Sequence, residues 1–299
     1  MPRIALAVFN LLLALPLAAQ LPNTQVYVFD FAIRDTAATF SKPMYLTAFN
    51  SRGYNNQPGW IDRNSLLLSV QLPEMEQPDI YSLDLARKTR TRLTATQAGE
   101  YSPKVIAGGN KFSAVRQEYL GRDTVLRLWE FPLDLSSNGK PTFKYINGTG
   151  YYEWFNSIQV ALFLVQNPNA LVLASTDSDE TRPLATNTGR CFKRQASTGN
   201  LVYVDKSILP WRIMEKNMYR MSEPARALTE TLPGSEDFAL ITDGSILMAK
   251  GSRIYRFDPI RNPRWIELVD LRLYGIRNIT RLSVNDYGRI ALVADGNHL

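Results

Sequence analysis

Pro58-Gly59-Trp60-Ile61-Asp62-Arg63-Asn64-Ser65-Leu66-Leu67-Leu68-Ser69-Val70 reads as a hairpin: a polar turn at Asp62 to Asn64 followed by an apolar strand. Asp and Asn suit the turn because their side chains bond locally to turn backbone. A second apolar strand follows at Asp79-Ile80-Tyr81-Ser82-Leu83-Asp84-Leu85, and an outer one at Arg92-Leu93-Thr94. One unit therefore holds four short strands.

The unit recurs. Marker strands like the one at Tyr81 are centred on Tyr27, Tyr81, Leu126, Val172, Tyr219 and Tyr255, at spacings of 54, 45, 46, 47 and 36 residues. A turn-containing hairpin precedes each of the last five markers. The copies begin near Pro58, at Pro103-Lys104-Val105, at Trp154-Phe155, at Cys191-Phe192 and at Phe238-Ala239-Leu240, and a sixth runs from Leu282 to Ala294. Several turn on Gly-Gly, Gly-Asn or Asp-Gly pairs, which supply the positive φ that tight hairpins need. Outer strands are expected at Pro183-Leu184-Ala185, Ala227-Leu228-Thr229 and Trp265 to Leu268, as well as at Arg92 to Thr94. Four strands in about 45 residues, repeated, is the arithmetic of a β-propeller.

The chain ends test this reading. The last hairpin lacks a following marker strand, while Tyr27 and the Met44-Tyr45-Leu46-Thr47 segment lack a preceding hairpin. One composite blade completes both. The expected fold class is all-β: a six-bladed β-propeller whose ring closes by pairing N-terminal outer strands with C-terminal inner strands, with no open seam.

Before the first strand, Met1-Pro2-Arg3 leads into an apolar run from Ile4 to Leu17 and then Leu17-Ala18-Ala19. That is the layout of a cleavable secretory signal peptide over residues 1–19, and the run is shorter than the roughly 20 residues a membrane-spanning helix needs. Residues 20–299 are then one exported domain, periplasmic or secreted, with no transmembrane segment in the mature chain. The single Cys191 cannot pair within the chain and is expected as a small buried residue. The formal net charge of +6 is dispersed, so nucleic-acid binding has no support. In the densest basic run, Arg90 and Arg92 alternate with Thr89 and Thr91 as on an exposed edge strand, where charge discourages aggregation.

The unit Pro58-x-Trp60-x-Asp62-x-Asn64, then Asp79-Ile80-Tyr81 with Asp84-Leu85, then Arg92-Leu93-Thr94, resembles the WD40-like repeat of TolB-type propellers. Weaker versions extend as far as Val293 and Ala294. The resemblance implies a periplasmic or envelope-associated protein with an interaction role. TolB carries a separate N-terminal α/β domain, for which this chain has no room after Gln20, so a lone propeller is expected.

Chemistry that needs histidine is unsupported, because the only one is His298, and no phosphate-binding loop occurs. Asn147-Gly148-Thr149 and Asn278-Ile279-Thr280 match a glycosylation pattern by chance in what reads as a bacterial protein. Asp62, Asp243 and Asp286 are expected to serve turns. The candidate ligand-binding residues are those of loops gathered at one channel mouth: Arg52, Tyr54, Asn55, Glu100, Tyr101, Tyr151, Tyr152, Glu153, Arg190, Glu236, Asp237 and Arg281. Tyr and Arg are favoured at binding hot spots.

The first functional reading is a module that docks an envelope protein or a cell-wall fragment, with no catalytic residues and no cofactor. The alternative is a calcium-dependent, lactonase-like hydrolase, for which Glu100, Glu153, Glu236 and Asp237 would have to converge in the channel. A third is a sensor or lid domain of the kind that accompanies peptidases. Oligomeric state is not legible.

Overall fold

The computed structural model describes residues 20–34, 37–121 and 123–296; the expected leader, residues 1–19, and His298 lie outside them. Two strands open the chain, β1 (Thr24–Arg34) and β2 (Ala37–Tyr45). Blade one follows as β3 (Tyr54–Trp60), β4 (Ser65–Gln71), β5 (Asp79–Asp84) and β6 (Thr89–Arg92). Blade two is β7 (Gly99–Val105), β8 (Lys111–Leu120), β9 (Asp123–Pro132) and the short β10 (Lys140–Pro141). Blade three is β11 (Thr149–Trp154), β12 (Gln159–Leu164), β13 (Ala170–Ser175) and β14 (Thr181–Thr186). Blade four is β15 (Thr188–Arg194), β16 (Leu201–Asp205), β17 (Arg212–Lys216) and β18 (Arg226–Glu230). Blade five is β19 (Phe238–Leu240), β20 (Ile246–Lys250), β21 (Arg253–Asp258) and β22 (Asn262–Asp270). The last strands are β23 (Ile279–Asn285) and β24 (Arg289–Asp295).

These strands make six four-stranded antiparallel sheets, and the sixth is ordered β2-β1-β24-β23. It is the composite blade expected from the chain ends. Thr24 pairs with Asp295, Val26 with Val293 and Asp30 with Arg289, so β1 and β24 zip together along their length. At the far end of this seam Arg289 reaches the Asp30 carboxylate at 2.9 Å.

Why the second strands read as unbroken apolar runs is plain from their surroundings. Leu66, Leu67 and Leu68 are all fully buried. Leu66 and Leu68 pack with Val26, Val28 and Val293 of the composite blade, while Leu67 packs with Ile80, Phe112 and Phe131 on the other face. A strand sandwiched between two neighbours is apolar on both faces instead of alternating. The core is accordingly six wedges between neighbouring blades, one for each join around the ring.

Two local readings are corrected. The marker strand expected around Tyr219 is not a strand: the third strand of blade four is β17, centred on Met214. Asn217 Oδ1 accepts the backbone N–H groups of Tyr219 and Arg220 at 2.9 and 3.0 Å, folding that stretch into a turn that leaves Tyr219 81% exposed. Asn is a strong turn former through just this bond. Val172, Met214 and Tyr255 are then 42 and 41 residues apart, more even than the 47 and 36 read from sequence. The outer strand expected at Arg92 to Thr94 is β6, Thr89–Arg92, and the one sought near Met44 to Thr47 is β2, ending at Tyr45. Leu93 and Thr94 still bond the Ile80 carbonyl but have left the regular ladder. All four residues of β6 are exposed, as the edge-strand reading required.

Candidate binding channel

The register of the first hairpins sets the channel wall. Gly59, Lys104, Glu153, Lys193, Ala239 and Ser283 lie opposite Leu67, Ser113, Ala161, Val202, Leu247 and Ala291 on the second strands, one pair per blade. All six line a 350 Å³ cavity that opens among the first-hairpin turns, beside Ser197, Thr242 and Asp286. Two residues earlier in each blade come Gln57, Ser102, Tyr151, Cys191, Asp237 and Arg281, and these line a waist of only 70 Å³. A third cavity, of 370 Å³, shares Arg190, Asp237, Arg281 and Leu282 with the waist and runs out past Pro233 to Glu236. The cavities thus follow one another along the channel.

Local geometry explains the narrowing. Gln57 and Ser102 adopt positive φ, 58° and 56°, at register shifts in β3 and β7. Gln57 Oε1 accepts the Ser102 N–H at 2.8 Å and the Ser69 hydroxyl at 3.0 Å, tying blades one and two. At Gly59 a Cβ would meet the Pro103 carbonyl at 2.1 Å, so only glycine allows these strands to approach.

Charge is concentrated on the wall of blades two to five and the composite blade. Lys104 pairs with Glu153 and donates to the Tyr152 carbonyl at 2.7 Å. Burial works to raise the Glu153 carboxyl, yet the charges of Lys104 and Lys193 outweigh it and hold the group below its ordinary range. Burial lowers Lys104, with Glu153 opposing. For Lys193 burial also works against charge, but Glu153 and Asp237 prevail and keep it above the usual lysine value. Arg281 lies 3.7 Å from Asp237 and stacks over Tyr151, whose hydroxyl accepts from it at 3.3 Å. Tyr54 sits within the field of Arg281, Tyr151 and Arg190, and burial pushes its hydroxyl well up. The Arg190 backbone N–H donates to Glu236, which also pairs with Lys206 at 3.2 Å. Cys191 is buried, exchanges hydrogen bonds with the Phe238 backbone at 3.3 Å, and is pushed up to about 12 by burial, so it is an inert core thiol.

Of the residues singled out in the sequence, the structure brings Tyr151, Tyr152, Glu153, Arg190, Glu236, Asp237 and Arg281 to the channel cavities. It does not bring Arg52, Tyr54, Asn55, Glu100 or Tyr101 there. Arg52 is an exposed loop residue. Asn55 is fully buried in a hydrogen-bonded clasp between Thr24 and Asn50. Tyr101 packs against the core between blades two and three, its hydroxyl pushed up to about 12 by burial. Glu100 is fully buried, 2.9 Å from Arg116 and bonded by Thr94 and Thr96. Burial, with help from the neighbouring Asp79, pushes its carboxyl up to about 7 against the pull of Thr96 and Arg116. Sequence reasoning missed Lys104, Lys193, Gln57 and Ser102 as wall residues.

The four carboxylates that a channel metal would need are held apart, each by its own cation: Glu100 by Arg116, Glu153 by Lys104, Glu236 by Lys206 and Asp237 by Arg281. Among the described residues no three His, Cys, Asp or Glu side chains gather as a metal site would require. The described residues include no helix long and apolar enough to cross a membrane.

No protein-family model matches the sequence, and no curated protein matches it. Solved structures do. One from Agrobacterium tumefaciens, provisionally assigned as TolB, superposes with a TM-score of 0.68 over 92% of this chain and 98% of its own, at 11% identity. The fold is that of a TolB-like six-bladed β-propeller. The same TolB-like shape is found in a nidogen/laminin complex, with a TM-score of 0.57 over 92% of this chain and 99% of that one at 11% identity. It is found again in a gluconolactonase from Xanthomonas campestris, with a TM-score of 0.56 over 81% and 86% at 9% identity. At these identities the TolB-like likeness is one of fold, which binding proteins and enzymes share.

Proposed function

We propose that this TolB-like propeller is a binding module of the cell envelope, exported by the leader at residues 1–19, which docks a segment of another envelope protein in its central channel. The observation that carries the reading is the pairing of the channel carboxylates. A hydrolase using calcium would need several of them free and convergent, whereas Glu153, Glu236 and Asp237 are each paired with a lysine or arginine. What is left is a charged, tyrosine-bearing passage with a chamber at each end of a narrow waist. The occurrence of this fold in a nidogen/laminin complex supports a protein as partner.

Photo-crosslinking in the producing cell tests this. A benzophenone amino acid at Ser197, exposed at the hairpin end of the channel, is expected to yield a specific protein adduct; the same group at Thr91 on the exposed outer strand β6 is not. Adducts from Thr91 alone, or from neither position, would contradict docking in the channel.

A further inference from the structure

The channel cations do not balance. Lys104 is matched by Glu153 and Arg281 by Asp237, but three cations on β15, Arg190, Lys193 and Arg194, have no such match, and of these Arg190 and Lys193 reach the waist. Lys193 belongs to the ring that lines the 350 Å³ hairpin-end cavity and also to the lining of the waist. Its side chain makes no hydrogen bond and no ion pair among the described residues, since Glu153, its acidic neighbour, is engaged with Lys104. Arg190, three residues earlier on the same strand, lines the waist from the other side. Its Nε is buried without a partner, and its guanidinium makes no ion pair among the described residues.

Both side chains are half-buried, and the field of Glu153 and Asp237 keeps Lys193 charged, yet its ammonium is bonded to neither carboxylate, each of which is held by another cation. Departures of this kind from local satisfaction are expected at functional sites. The waist, at 70 Å³, has room for a small polar group together with water and for little more. The cavities of 350 and 370 Å³ on either side would take what lies before and after that group on an extended chain, which advances about 3.3 Å per residue. A free inorganic anion would need the waist but neither chamber.

We propose that Lys193 and Arg190 form a carboxylate-binding site at the channel waist, and that the docked segment is an extended acidic peptide whose Asp or Glu side chain completes them. This rests on the docking function proposed above. Arg suits the role because its planar fork can hold a carboxylate through two hydrogen bonds, while the Lys193 ammonium supplies a point charge from the next turn of the wall.

Isothermal titration of the protein with N-acetyl-tetraglutamate amide, its tetraglutamine counterpart and inorganic phosphate tests the site. Tetraglutamate is expected to bind, to weaken at least tenfold between about 50 and 500 mM salt because the contact is ionic, and to exceed tetraglutamine by at least tenfold. Lys193→Met should lose at least tenfold in affinity and Lys193→Arg less than threefold, with both variants checked for an unchanged unfolding midpoint. The salt dependence of the unaltered protein answers the question even if a variant does not fold. Equal binding of the two peptides, no binding of either, or an unchanged affinity in Lys193→Met would overturn the proposal, and so would phosphate binding as tightly as tetraglutamate. The crosslink from Ser197 separates the two claims. If it persists at full yield in Lys193→Met, docking stands and the carboxylate site falls; if it is absent in the unaltered protein, docking itself fails.

Discussion

Asn55→Ala is expected to lower the thermal unfolding midpoint by about 6 °C, although Asn55 touches none of the channel cavities. Its side-chain amide donates to the Thr24 carbonyl at 2.8 Å and to the Asn50 carbonyl at 2.9 Å, and its carbonyl accepts from the Asn50 amide at 3.0 Å. Thr24 is the first residue of β1, so these bonds fasten blade one to the composite blade where the ring closes. Asn55 is fully buried, and truncation would strand the partners without water to replace it. Each orphaned buried group costs about 1–3 kcal/mol, and a loss of about 3 kcal/mol overall is a reasonable sum for partners that relax in part. At roughly 2 °C per kcal/mol for a domain of this size the midpoint follows. A circular-dichroism melt within 1 °C of the unaltered protein would show that the clasp contributes nothing to closure.

The second large effect depends on pH. A carboxyl whose folded pKa is raised holds its proton more tightly in the folded than in the unfolded chain. Its contribution is therefore present below the unfolded value of 4.5 and is lost as the pH rises through about 7, where Glu100 titrates in the folded state. The full difference corresponds to about 3 kcal/mol. Glu100→Gln imitates the protonated group and cannot titrate. Its stability relative to the unaltered protein should rise by that amount between pH 4.5 and pH 8, as measured by urea unfolding across the range. The groups facing Glu100 are Arg116, Asp79, Thr94 and Thr96, and Arg92 holds Asp79 in turn. Parallel stability curves for the two proteins would mean that Arg116 keeps Glu100 ionised throughout.

Both residues illustrate how far the sequence could be read. The repeat was legible because second and third strands are buried on both faces, leaving apolar runs such as Leu66 to Leu68 and Leu171 to Ala174 that stand out between turns. Ring closure was legible because the two chain ends add up to one blade. Blade four misled because its true third strand, Arg212–Lys216, carries Arg212, Glu215 and Lys216, whereas the Asn217 turn beside it displays Met218 and Tyr219. The binding wall was harder to see. Residues at the starts of the first strands were expected at a mouth, but Asn55 and Glu100 turn into the joins between blades, where hydrogen-bond partners await them. Mid-strand residues form the wall instead. Aligning the six hairpins by register, one position before Trp60, Val105, Trp154, Arg194, Leu240 and Val284, would have found Lys104, Glu153 and Lys193 as one ring. Which cations stay unmatched is a fact of three-dimensional pairing that no spacing encodes.

The proposed binding passage requires that Glu153, Glu236 and Asp237 stay engaged by the protein's own lysines and arginines. Thermal unfolding with excess calcium against a chelator measures this directly, since a ligand held only by the folded state at 100 times its Kd stabilises it by about 2.7 kcal/mol, or about 5 °C here. The expected result is the same midpoint in both conditions; a calcium-dependent rise of several degrees would contradict it and place a metal among the acidic residues.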